Sequence, residues 1–153
     1  ATGRTPDETT LERHNLAAYR YGSAISAAGL LAALGARNVV ARHFAGFFSS
    51  YDILLCPTLP ELPAMLGHFS DWVGTGRDWI DRVFAHTPMT PVFNVSGLPA
   101  MSVPLGHDEQ TDLPIVIQFG AAFGREDLLL RLAAQLESAA PWIDRRPNIC
   151  RSL

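Results

Sequence analysis

The stretch Phe93-Asn94-Val95-Ser96-Gly97-Leu98-Pro99-Ala100-Met101-Ser102-Val103-Pro104-Leu105-Gly106 decides how the rest of this chain is read. Gly97 and Pro99 bracket a turn, because Gly reaches positive φ without a steric cost and Pro holds φ near −65°. Ala100 to Leu105 then reads as a short buried strand, closed by Pro104 and Gly106. Phe93, Asn94 and Ser96 fall just before the turn. The short polar side chains of Asn94 and Ser96 there either bond local backbone or face a cleft.

Downstream, His107 to Asp112 is a polar turn, and Leu113-Pro114-Ile115-Val116-Ile117-Gln118-Phe119-Gly120 is a second strand that makes a hairpin with the first. Gly124-Arg125-Glu126-Asp127 opens a helix with an acidic first turn, which the helix dipole favours. Leu128, Leu129, Leu132, Ala133 and Leu136 share one face of that helix, Pro141 ends it, and its apolar face must cover a sheet.

Upstream, Ile53-Leu54-Leu55-Cys56 is a continuous apolar run stopped at Pro57, the pattern of a strand buried on both faces. Pro57, Pro60 and Pro63 stiffen an extended segment leaving the strand end, where ligands bind in α/β sheets. Thr58 is therefore either a candidate wall residue of a binding cleft or a hydroxyl satisfying local backbone. Residues 64–91 are broken by Gly67, Gly74, Gly76, Pro88 and Pro91, with one helical insert after Thr75 or Gly76 carrying Trp79, Ile80, Val83 and Phe84. Phe69, Trp72, Trp79, Phe84 and Phe93 either line a pocket or fill a core.

Two helices are expected before the first strand. One starts around Pro6-Asp7-Glu8, and the longer one starts at Ser26 as N-cap and runs to Phe48. Asn38 interrupts the apolar face of the longer helix, as expected of a hydrogen-bonded residue at a helix crossing. The Ser49-Ser50 pair terminates it.

Composition excludes several functions. The chain has 153 residues, 18 % of them charged, and a net charge of −3, so no basic field exists to neutralise nucleic-acid phosphates. The longest uncharged apolar stretch, between Arg20 and Arg37, is shorter than the roughly 20 residues of a membrane helix. Without a signal-peptide pattern the expected location is the cytoplasm. Cys56 and Cys150 are too few for a disulfide framework and are read as free thiols. His14, His43, His68, His86 and His107 lack metal-ligand spacing, so neither metal nor cofactor is expected. All 12 basic side chains are arginine. A lysine base or Schiff base is thus impossible within this polypeptide. Ser102 with a histidine and an aspartate could form a triad on paper, but no Gly-x-Ser-x-Gly elbow presents it.

Four blocks in order carry a resemblance: Asp52 to Thr58; Asn94 to Pro104; Leu113-Pro114-Ile115 with Gln118; and Gly124 to Glu137 with Pro141-Trp142. Together they resemble the C-terminal part of the amidase signature family, from about Ser26 onward. The segment from Leu132 through Pro147 looks most like the branch containing 6-aminohexanoate cyclic-dimer hydrolase. The chain departs from the pattern at Cys56, where Thr is common, at Asp112, where Gly usually precedes Leu-Pro, and at Val116, where Gly is usual.

The resemblance implies an α/β fold, a partial amidase signature domain of mixed β-sheet strands covered by helices. Residues 1–153 would form one incomplete unit, helical over 7–48, sheet and loop over 52–120, and helical again over 125–138. It implies amide hydrolysis by a serine nucleophile, a second serine and a lysine, none of which this chain supplies. On this reading no residue here is catalytic, and Thr58, Phe93, Asn94 and Ser96 contribute pocket wall for a small-molecule amide. The expected partner is the remainder of the amidase domain or a second copy of the chain. The alternative is a non-catalytic binding module derived from such an enzyme.

Overall fold

A computed structural model describes residues 3–70 and 72–145. The helices and strands run α1 (Arg13–Ser23), α2 (Ala27–Phe47), β1 (Ile53–Pro57), α3 (Gly76–His86), α4 (Pro91–Ser96), β2 (Ala100–His107), β3 (Pro114–Ala121) and α5 (Glu126–Ala139). β3 lies between β1 and β2, and both pairings are antiparallel. Leu54 and Ala100 flank Gly120, while Cys56 and Ser102 flank Gln118. Residues opposite one another in an antiparallel ladder share a face. One face of the sheet therefore carries Leu54, Cys56, Val116, Gln118, Gly120, Ala100 and Ser102, and the other carries Ile53, Ile117, Phe119, Ala121, Met101 and Val103.

The second face is the core. Val103, Phe119, Ala121 and Leu129 are buried together, with Ile53, Met101, Leu105, Ile117, Leu132, Leu136 and Trp142 packed around them. The apolar stripe of α5 covers the sheet, as its spacing predicts. Burying a leucine such as Leu129 contributes about 1.5–3 kcal/mol.

A second, smaller assembly joins α1 to α3. Gly76 is buried here, and a Cβ on it would fall 2.3 Å from the Ala17 carbonyl oxygen, so only glycine lets the two helices approach this closely. His14 stacks on Trp79 with ring centroids 4.5 Å apart, and Trp72 meets Trp79 edge-on. Thr75 caps α3 in a capping box with Asp78, whose carboxyl is held below the usual range by the Thr75 hydroxyl and amide.

The structure departs from the sequence-based expectations in five places. The helix expected from Pro6 begins at Arg13, because the Asp7 carboxylate accepts the amides of Thr9 and Thr10 at 2.9 and 3.1 Å and closes a turn. Residues 91–96 are helix rather than loop, since Pro91 occupies the first helical turn, where its missing N–H costs nothing. Pro104 does not close β2. It sits at a register shift between Val103 and Gly106, where three steps on β2 match two on β3 and the bulge needs no N–H from it. β1 pairs on one side only, and Leu55 is 62 % exposed rather than enclosed on both faces. Asn38 is exposed on α2 rather than buried at a crossing, and α2 contributes no buried residue at all.

Other boundaries match. Ser26 caps α2 by accepting the Gly29 amide at 3.1 Å, and Ser49 bonds the Gly46 carbonyl where α2 ends. Gly97 ends α4 at φ 76° with its amide on the Phe93 carbonyl at 2.9 Å, a left-handed C-cap. Nothing lies within 4 Å of a Cβ placed at Gly97, so the penalty for replacing it is backbone strain alone. Gly97→Val should lower unfolding stability by about 1–2 kcal/mol and Gly97→Asn by much less, measured by urea denaturation. Equal costs for the two variants would contradict the left-handed cap.

Candidate functional site

The sheet face turned away from α5 carries a polar row. Gln118 stands at its centre in β3 and is only 5 % exposed, the one buried polar side chain among the described residues. Cys56 on β1 donates its thiol to Gln118 Oε1 at 3.8 Å, and Thr58 donates to Ser102 Oγ across the mouth of the row at 2.9 Å. The Thr58 amide bonds the Val116 carbonyl at 3.0 Å and so continues the ladder one step past Pro57. This pairing holds Thr58 on the same face as Cys56.

The other end of the row is closed by α4. Phe93 is 6 % exposed and lies against Gly120, where a Cβ would sit 2.3 Å from the ring carbon Cε1. Its neighbour Asn94 is exposed, and the Ser96 hydroxyl accepts the Leu98 amide at 3.4 Å within the turn. Arg37 Nε donates to the Val95 carbonyl at 3.3 Å and fastens α2 to α4. Of the four expected wall residues, Phe93, Asn94 and Ser96 thus share one short helix. Thr58 lies about 13 Å further along the strand direction, four residues at ~3.3 Å each. Phe93 is the floor under α4, while Asn94 offers an exposed carboxamide and Thr58 a half-buried hydroxyl.

A separate cavity of about 550 Å³ lies under residues 59–70, between that segment and α1 and α3. Phe69, Trp79, Leu62 and Val83 give it an apolar lining, with His14, His68, His86 and Glu61 as its titratable groups. The aromatics grouped from sequence therefore divide: Phe69 and Trp79 line the cavity, Phe84 is half exposed, and Phe93 belongs to the sheet. No serine joins any histidine among the described residues, whose histidine–carboxylate pairs are His14 with Glu12, His86 with Glu61 and His107 with Asp112. No group of three His, Cys, Asp or Glu side chains among them is gathered to hold a metal ion.

Sequence reading did not find Gln118 as a buried polar centre, although its place in a strand of apolar residues was visible. Nor did it find Glu61, His68 and His86 together, which no spacing announces because the fold alone brings them into contact. Two of the noted departures have local explanations. Asp112 adopts φ 59°, a left-handed position that suits Gly and that Asp tolerates, and its carboxylate bonds His107 Nε2 at 2.6 Å. Cys56 supplies the donor to Gln118 that a threonine hydroxyl would also supply.

The chain has relatives among known proteins. The amidase family model matches residues 3–130, and the chain belongs to that family. It is 41 % identical over 118 residues to the 6-aminohexanoate-cyclic-dimer hydrolase of Paenarthrobacter ureafaciens, covering 71 % of this chain and 24 % of that protein. With AmiC of Mycobacterium tuberculosis it is 35 % identical over 150 residues, covering 96 % of this chain and 30 % of that one. The solved structure of a 6-aminohexanoate cyclic dimer hydrolase superposes with a TM-score of 0.84 at 31 % identity, over 97 % of this chain and 32 % of that one. The fold also resembles a glutamyl-tRNA(Gln) amidotransferase subunit of Thermotoga maritima, with a TM-score of 0.61 at 22 % identity, over 94 % of this chain and 30 % of that one. The chain thus spans a quarter to a third of the length of the relatives it matches.

Burial pushes the Cys56 thiol above its usual value, which disfavours the reactive thiolate. Cys150 lies outside the described residues and would be replaced by serine for the measurement. Alkylation of Cys56 by iodoacetamide should then be several-fold slower than that of free glutathione at pH 8, and its rate should still be climbing above pH 9. A rate that levels off below pH 8.5 would contradict the placement against Gln118.

Proposed function

We propose that this chain is the C-terminal segment of an amidohydrolase that cleaves carboxylic amides by serine–serine–lysine chemistry, with the catalytic residues lying outside the chain. The observation that carries the proposal is the conjunction of amidase family membership with a sequence in which every basic residue is arginine. A serine without its base stays a weak nucleophile, so this polypeptide lacks the proton acceptor on which that chemistry depends. Its span of a quarter to a third of its relatives supports the same reading.

In this proposal the segment serves as scaffold and as part of the substrate pocket. Thr58, Asn94 and Ser96 present hydroxyl and carboxamide groups to an amide substrate, and Phe93 fixes the helix that carries two of them. The partner is the remainder of the amidase domain. It would cover α2, whose Leu30, Leu31, Leu34 and Val39 are all exposed in this chain. Without that remainder the same surface drives association between copies, because exposed apolar patches of this kind promote it. The segment needs no cofactor for this role, and a cytoplasmic location goes with the proposal. Among the described residues no single helix is long and apolar enough to cross a membrane.

The test compares this chain alone with a protein extended upstream to the full length of its relatives, using aryl amides and cyclic or linear aminohexanoate oligomers. Turnover is expected only from the extended protein. In that protein Asn94→Ala should raise KM about tenfold while leaving kcat within about threefold, the signature of lost binding shared by substrate and transition state. Turnover by the purified 153-residue chain would overturn the proposal. Failure of the extended protein to hydrolyse any amide would favour the binding-module alternative.

A further inference from the structure

Residues 59–70 carry no regular helix or strand and close one side of the cavity against α1 and α3. At the tip of this segment Met65 is 85 % exposed and Leu66 fully exposed, so apolar burial does not hold the tip down. What holds the segment is the Phe69 ring, edge-on to Trp79 at 5.8 Å, together with a short set of polar contacts to α3. Glu61 Oε1 lies 2.8 Å from His86 Nδ1, and His86 Nε2 lies 3.2 Å from His68 Nε2. Arg82 donates to the His68 carbonyl at 2.7 Å, and its guanidinium sits over the Phe69 ring.

We propose that the Glu61–His86–His68 chain is a proton-operated latch, which keeps residues 59–70 closed over the cavity and releases them when the second of the two imidazoles becomes charged. The balance of donors and acceptors sets its state. With both rings neutral, His86 Nδ1–H donates to the Glu61 carboxylate, and His68 Nε2–H donates to the lone pair on His86 Nε2. A first proton is accommodated on either ring. On His68 Nδ1 it leaves both hydrogen bonds in place. On His86 Nε2 it reverses the middle bond, with His68 accepting at Nε2 and keeping its hydrogen on Nδ1. A second proton leaves no acceptor between the rings. Two N–H donors then face each other across 3.2 Å, each on a cation.

Charged groups surround the pair. Glu61 faces His86 directly, and His86 stands at the C-terminal end of α3. Arg82 bonds the His68 carbonyl through its guanidinium, and across the cavity lies His14, which is paired with Glu12 at 3.1 Å. The open form binds one more proton than the closed form. Acidification through the range in which imidazole titrates, about pH 8 to 5, therefore favours opening, and raising the pH restores closure.

The experiment follows amide hydrogen exchange in the 153-residue chain, corrected for intrinsic rates, at the His68 and Ser70 amides that bond Met65 and Gly67 within the segment. Their protection should fall about tenfold or more between pH 8 and pH 5, while that of Leu132 and Leu136 in α5 changes little. His68→Gln keeps a donor and an acceptor but cannot take the proton, and its protection should stay within about threefold over the same range. Protection that is flat with pH in the wild type, or a fall that persists in His68→Gln, overturns the latch. Histidine NMR titration of the wild type reads the same claim without a variant. The segment should open only once the ring signals of both His68 and His86 report a charged imidazole; opening while one ring is still neutral would overturn it.

Discussion

A missing side chain in the central strand organises this structure. Gly120 leaves room for the Phe93 ring to lie on the sheet, and a single added carbon there would overlap the ring. This contact docks α4 on the face opposite α5, which sets where Asn94 and Ser96 stand. It also fixes where the chain turns at Gly97 to enter β2. Because β2 then pairs with β3 from Ala100 opposite Gly120, the register that brings Ser102 beside Gln118 begins at the same point. The polar row from Cys56 to Thr58 is built outward from that register.

The two faces of the sheet have different roles. The α5 face is a conventional core, apolar and closed. The other face keeps a buried amide whose oxygen accepts from a thiol, and two hydroxyls bonded to each other, with an aromatic floor at one end. Only Gln118 of this row is buried, and a buried amide held by a hydrogen bond specifies geometry more than it adds stability. Its place in an amidase-family segment, without a lysine, fits a platform on which catalytic groups from elsewhere are set.

Much of the fold was legible in the sequence because local physics decided it. Ser26, Thr75 and Gly97 mark element ends by side-chain or backbone chemistry confined to a few residues, and the stripe of α5 is periodic. Most of what was not legible depends on partners far along the chain, and the rest on a choice between two local structures that one sequence allows. The exposure of Leu55 follows from β1 lying at the edge of the sheet, which its apolar run does not encode. Asp7 could begin a helix or close an Asx turn from the same local sequence, and its bonds to Thr9 and Thr10 decided for the turn. The site was legible only in part. The Asn94–Ser96 tract and Thr58 stood out by their turn and proline context. Gln118 and the Glu61–His86–His68 cluster emerge only once strands and loop are assembled.

The dependence of the sheet face on Phe93 and Gly120 is tested most directly by a double-mutant cycle in urea unfolding. Gly120→Ala should cost about 1–3 kcal/mol with Phe93 present, because the ring must move. It should cost far less beside Phe93→Leu, which removes the ring carbons nearest the new methyl group and leaves a coupling energy of about 1 kcal/mol or more. Costs that simply add would mean that the ring does not rest on Gly120, and the placement of α4 and its polar residues would fall with it.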